Sequence, residues 1–364
     1  MTRLHELFQL GQSIWYDNIS RDVLDSGEMQ RLIDSGIVGV TSNPSIFKAA
    51  IAGSTHYDDA IRQLAAEGRD VDAIYETLAL ADIGRAADLF RPVYEATNGL
   101  DGYVSIEVDP FLAHDTTATL LEARRLFQTL NRPNIMIKVP ATPAGIPAFE
   151  QLISEGINVN VTLMFSLTHY EAVAMAYIRG VEKLAQNGGD VSKIASVASF
   201  FVSRIDTAVD KALDAAGEIA LQGQIAIANA KMAYGRFQDI FSSDLWQDFA
   251  DQGAQVQRPL WASTSTKNPA YPDTLYVDEL IGPYTVNTIP PKTVVAFLDH
   301  GTVSETLTED TDIAEEQIAY LDDISVDLEA ITQQLQDDGV RSFSDAFSDM
   351  KAAIAQKREA LQAA

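Results

Sequence analysis

The chain has 364 residues, 46% of them hydrophobic and 21% charged, enough for a sizeable core in one large domain or two ordinary ones, and not the composition of a disordered chain. Its 26 Lys and Arg stand against 52 Asp and Glu, and the net charge of −26, with no basic cluster to offset it, argues against nucleic acid or anionic lipid as a partner. Cysteine is absent, which excludes disulfides and thiol chemistry; no window reads as a signal peptide or membrane span, so the expected compartment is the cytoplasm.

In chain order one unit recurs: a short β-branched run ending in polar residues, then a longer amphipathic stretch. SIWYDN (13–18) comes first, followed by Ser20 as a cap ahead of Val23 and a helix over 28–35. VGVTSN (38–43) opens a long insertion, 48–102, whose apolar stripe predicts helices, the longest over 71–98. YVSIEV (103–108), a helix over 116–130, IMIKV (135–139) and INVNVTL (157–163) follow. A helix over 167–185 is expected to open with Thr168 and Glu171 as a capping box. IASVASF (194–200), a helix over 206–241, PLWAST (259–264) and PYTVNTI (283–289) complete eight strand–helix units.

Eight such units fit an α/β fold with the parallel sheet closed into a (β/α)8 TIM barrel, for which about 250 residues is typical; a doubly wound open sheet is the alternative. Beyond the eighth run, 293–299, 310–335 and 342–363 are helical in period. From Gly301 onward, 15 Asp and Glu face 4 Lys and Arg. The expectation is one domain over 1–364, with 293–364 as C-terminal helices packed on the barrel and further helices in the 48–102 insertion.

Asp17, Asn43, Glu107, Lys138, Thr162, Ser199, Ser263 and Asn287 stand at or near the carboxyl ends of the eight runs, where a barrel carries its active site. Lys138 sits in an apolar strand (IMIKV), where burial disfavours the charged ammonium; a neutral amine is the nucleophile a ketone needs to form a Schiff base. A buried lysine–carboxylate pair is the competing reading. Asp17 and Glu107, on strands 1 and 3, can divide the acid and base work of carbon–carbon cleavage and imine formation. Structural alternatives stand beside these: an Asx turn at Asp17 and a salt bridge from Glu107 to Lys138. Asn43, Asn160, Thr162 and Ser199 could read a polyhydroxylated substrate, with Phe165 and Phe201 keeping the pocket dry. Arg204, opening a helix just past strand 6, is the candidate phosphate ligand, with Lys267 a second cation on the same rim. The five histidines lack metal-ligand spacing, so no metal is expected.

TSNPSIF, SIEVDP, NIMIKVPAT, INVNVTLMFS and SFFVSRID, in that order between positions 41 and 206, resemble the signatures of the transaldolase family, and WASTSTKNPAY and PYTVNTIPP are similar to its longer bacterial subfamily. The resemblance implies a single barrel, no cofactor, and transfer of a dihydroxyacetone unit in the non-oxidative pentose phosphate pathway. The donor would be sedoheptulose 7-phosphate or fructose 6-phosphate, and the acceptor glyceraldehyde 3-phosphate or erythrose 4-phosphate. It makes Lys138 the Schiff-base lysine, Asp17 the acid/base of the retro-aldol step, and Glu107 with Thr162 the pair that holds the water of imine formation. Asn43, Asn160 and Ser199 would bind the dihydroxyacetone hydroxyls, and Arg204 would bind phosphate. Phe200 and Ser203 depart from the family's Pro and Gly in the SxFVxR element, and Lys267 stands for a second phosphate arginine. A fructose 6-phosphate aldolase that releases free dihydroxyacetone is the enzyme alternative; a catalytically silent sugar-phosphate-binding barrel is the alternative of another class. Monomer and homodimer both remain open at this level.

Overall fold

The computed structural model describes residues 1–363. Eight parallel strands close into a barrel in sequence order: β1 (Gln12–Tyr16), β2 (Ile37–Val40), β3 (Val104–Glu107), β4 (Ile135–Pro140), β5 (Val159–Met164), β6 (Ser196–Phe201), β7 (Arg258–Ala262) and β8 (Thr285–Ile289). Strand β8 pairs with β1 over five residues, and this removes every sheet edge. Strands β4, β5 and β6 are buried at every position, polar ones included, because both faces are covered, one by the barrel interior and the other by the helices. Inside the ring the indole of Trp15 lies over Gly39, where a Cβ would come within 2.7 Å of it.

The helices follow the sequence with four corrections. The stretch 206–241 is two helices, Ser203–Ala216 and Ile225–Phe241. Gly217, at φ +81°, ends the first, with Glu218 N–H donating to Leu213 O. The stretch 310–335 breaks at Ser325, which adopts φ +60° while Val326 N–H donates to Leu321 O; a non-glycine residue in the left-handed region leaves no composition signal. What reads as a gap at 336–341 is instead continuous, within one C-terminal helix, Leu328–Ala363. Finally, helix Leu167–Gln186 is capped by Ser166, whose Oγ accepts from His169 N–H, and Thr168 is already inside it.

The C-terminal helix crosses the carboxyl end of the barrel. Gln336, buried, donates to Ala141 O and Leu163 O at the ends of β4 and β5. One turn on, Gly339 permits the close approach: a Cβ there would stand 2.9 Å from Leu163 Cδ2. Val340, Phe343, Phe347, Met350 and Ile354 continue the apolar stripe onto the helices of the insertion, Pro44–Ala52, Asp58–Ala66 and Val71–Ala96. No helix is long and apolar enough to cross a membrane among the described residues.

Candidate active site

Strand register assembles the centre of the site. Glu107 pairs with Lys138 across β3 and β4, and Lys138 with Asn160 across β4 and β5, so three polar side chains stand level on neighbouring strands about 4.8 Å apart. Lys138 is 6% exposed. Its Nζ lies 3.6 Å from Glu107 Oε2 and donates to Ser42 O at 3.2 Å. The ion-pair distance offered as an alternative is therefore present, in a setting where the carboxyl is itself perturbed. Burial pushes Glu107 up from the ordinary carboxylate range and Asp17 pushes it further, against the opposing charges of Lys138 and Arg204.

Asp17, one residue beyond β1, lines a cavity of about 190 Å³ together with Lys138, Thr162, Ser199, Arg204 and Lys267. Burial raises its pKa, while the Thr41 hydroxyl and the charges of Lys138 and Lys267 pull it down. Thr41 Oγ1 donates to Asp17 Oδ1 at 2.7 Å and lies 2.5 Å from Thr288 Oγ1. A hydroxyl has one proton, so Thr288 donates to Thr41, and a short chain ends on the carboxylate.

Asn43 Oδ1 caps helix Pro44–Ala52 through Ile46 N–H, which leaves its amide nitrogen as the group it can offer to the cavity it lines. Ser199 Oγ donates to Asn160 Oδ1 at 2.7 Å, and Asn160 Nδ2 donates to Ser105 Oγ. Thr162 Oγ1 and Glu107 Oε2 are buried without a protein hydrogen-bond partner.

Arg204 and Lys267 share one wall. Burial draws both pKa values down, Glu107 opposes this for Arg204, and Arg204 itself lowers Lys267. Two cations that repel each other across a cavity wall are an arrangement an anion relieves. Phe201 lies 5.0 Å from the Arg204 guanidinium carbon and packs on the fully buried Phe165, with ring centroids 5.1 Å apart.

Of the residues singled out from sequence, Asp17, Asn43, Lys138, Thr162, Ser199, Phe201, Arg204, Ser263 and Lys267 line this cavity. Glu107 and Asn160 do not line it and reach it through Lys138 and Ser199. Asn287 lies elsewhere, accepting from the Thr264 hydroxyl in the core. Phe200 packs edge-on against Trp261, outside the cavity, and Ser203 bonds Ser263, so both departures are absorbed at the strand–helix turn. Sequence reasoning missed Thr41 and Thr288, although both stood inside quoted motifs, and it missed Phe343, which nothing in the sequence marks. Phe343 comes from the C-terminal helix and roofs the cavity, its ring centroid 5.8 Å from Lys138 Nζ and 5.9 Å from the Arg204 guanidinium carbon. Among the described residues, no cluster of His, Asp or Glu is arranged to hold a metal.

The sequence model of the family described as "Transaldolase/Fructose-6-phosphate aldolase" matches residues 14–354. Curated relatives include "Transaldolase 2" of Nostoc sp. (strain PCC 7120), 50% identical with 96% of each chain covered. "Transaldolase" of Acidothermus cellulolyticus is 48% identical over 98% of this chain and 97% of the relative, and that of Mycolicibacterium smegmatis 47% identical over 95% of each.

Proposed function

The chain belongs to the transaldolase/fructose-6-phosphate aldolase family, and from that premise we propose that it catalyses the transaldolase reaction, passing a dihydroxyacetone unit from a ketose phosphate to an aldose phosphate through a Schiff base on Lys138. The observation that carries this reading is the placement of one buried amine, 3.6 Å from a carboxyl of raised pKa, in a cavity whose wall also holds Asp17 and two cations.

Lys138 Nζ attacks the substrate ketone. Glu107 and Thr162, whose buried oxygens lack protein partners, hold the water exchanged in forming and hydrolysing the imine. Asp17 takes the proton of the hydroxyl beside the breaking carbon–carbon bond, a task suited to a carboxyl with a raised pKa. Asn43 and Ser199 bind the hydroxyls of the three-carbon unit, Asn160 acts through Ser199 by accepting the hydrogen bond of its hydroxyl, and Arg204 with Lys267 takes the phosphate. Phosphorylated sugars are retained inside cells by their charge, which favours a cytoplasmic location.

Borohydride reduction in the presence of fructose 6-phosphate tests the reading. The expected result is a reduced three-carbon adduct on the protein that is absent in Lys138→Ala; no adduct on the unaltered protein would refute it. A fructose 6-phosphate aldolase would in addition accumulate free dihydroxyacetone when no acceptor aldehyde is supplied.

A further inference from the structure

Behind Glu107 lies a second cavity that the substrate does not need. It measures about 240 Å³ and sits between helices Val71–Ala96, Thr116–Leu130 and the C-terminal helix, with Tyr75, Ala79, Leu126 and Phe347 among its walls. That is ample room for water. Glu107 lines this rear cavity, while its Oε2 stands 3.6 Å from Lys138 Nζ in the wall of the front one. The carboxyl, 7% exposed, thus stands between the rear cavity, which it lines, and the amine that lines the front one.

The two cavities differ in charge. The front one carries Lys138, Arg204 and Lys267 against Asp17. The rear one carries Asp72, Glu76, Glu107, Asp109 and Glu122 against Arg125 and Lys351. Phosphorylated sugars are therefore drawn to the front and repelled from the rear, whereas water is indifferent to the sign. A ketose phosphate seated on Arg204 and Lys267, beneath Phe343, fills the front cavity of about 190 Å³ while the imine forms. The water released at that step is then trapped unless it has another way out.

We propose that the rear cavity is the passage by which the water of imine formation leaves and the water of imine hydrolysis enters, past the Glu107 carboxyl; the inference rests on the Schiff-base reading above. Addition of the Lys138 amine turns the ketone oxygen into a carbinolamine hydroxyl. That hydroxyl departs with one proton from the Glu107 carboxyl, giving an iminium ion, one water and a Glu107 carboxylate. Hydrolysis reverses the same atoms: water adds to the iminium carbon, and a proton returns to Glu107. Waters admitted to the rear cavity would connect Glu107 to the exposed Asp72 and the half-exposed Glu76 and Arg125 among its lining side chains.

The test is exchange of the ketone oxygen of fructose 6-phosphate with heavy-oxygen water, measured beside borohydride trapping. Ala79→Leu fills the cavity from a buried wall position, and Leu80→Trp obstructs it from a partly exposed one. In both variants, enzyme-dependent exchange should fall by about tenfold, a barrier increase of about 1.4 kcal/mol. The trapped adduct should stay at the level of the unaltered protein, because a confined water re-adds the oxygen it removed. Exchange at the unaltered rate in either folded variant overturns the proposal, as does a parallel fall in trapping, which marks a disturbed site. If Ala79→Leu does not fold, Leu80→Trp decides alone. Exchange by the unaltered protein no faster than by Lys138→Ala would instead overturn the Schiff-base reading itself.

Discussion

A group that takes a proton in one step and returns it in the next works best with a pKa near the working pH, and burial displaces both Asp17 and Glu107 upward in that sense. Asp17 must be ionised to accept the hydroxyl proton, so the acid limb of kcat should lie above the ordinary carboxylate range of about 4 and should vanish in Asp17→Asn. Asp17→Ala should slow turnover by about 10²- to 10⁴-fold while leaving the borohydride adduct, the usual worth of a general acid/base. Thr41 acts through Asp17: its hydroxyl stabilises the carboxylate, so Thr41→Val should move the acid limb to higher pH, a shift that mere loosening would not produce. Arg204→Ala should raise KM for phosphorylated ketoses and spare unphosphorylated ones; equal damage to both would remove it from phosphate binding. Lys138, Asp17 and Glu107 were legible in sequence because a polar side chain at the end of an apolar run has few structural reasons to be there. Their approach to one another was not, since it depends on the register of β3 against β4 and on closure of β8 onto β1.

Two helical elements shape the site from outside the barrel. The C-terminal helix is tied over its C-terminal half by Lys48–Asp349, Asp72–Lys351 and Asp58–Lys357 ion pairs, but partly exposed pairs are worth at most about 1 kcal/mol each, and the apolar stripe through Phe343, Phe347 and Met350 holds it more firmly. Gln336→Ala strips two strand-end carbonyls of their buried donor and should cost about 1–3 kcal/mol in chemical denaturation. Helix Ser203–Ala216, which begins beside Arg204, is pinned through Asp206, whose oxygens accept from Ala226 N–H and the Tyr276 hydroxyl. Burial raises Asp206 from 3.8 to about 7. The folded chain thus favours its neutral form; that stabilisation is complete below about 4 and is lost as pH rises through about 7, a change of up to about 4 kcal/mol at 1.36 kcal/mol per pKa unit. The thermal midpoint should therefore fall more steeply between pH 5 and 8 in the unaltered protein than in Asp206→Asn; identical slopes would mean that Asp206 does not titrate there. These helical elements were only half legible. The Arg204 position showed in its motif, whereas the Ser325 break and the Gly339 continuation depend on which residues the chain happens to pack against.

At the scale of the whole molecule, the two ends of the barrel divide stability from chemistry. At the amino-terminal end, Arg258, 5% exposed, pairs with the fully buried Asp101 at 3.0 Å and donates to Ser13 Oγ, while Trp15 Nε1 and Ser13 Oγ donate to Asp101 as well. Asp101→Ala would strand the guanidinium without its counter-charge and should cost about 3–5 kcal/mol. Because the network lies at the opposite end from Lys138, kcat of the folded fraction should be unchanged; a proportionate loss of kcat at a temperature where the variant is folded would contradict that division.

The amino-acid sequence by itself determined the eight strands, the polar residues near the ends of most of them, and the types of chemistry those residues can perform, because alternation of short apolar runs with amphipathic stretches and the cost of burying an amine are local properties. Only the tertiary structure decided that Glu107 lies between Lys138 and a second, acidic cavity, that Phe343 reaches across from a helix more than a hundred residues downstream, and that Asn287 stays in the core. Those outcomes follow from strand register and from where a long helix comes to rest, and both are set by contacts between residues far apart in the chain.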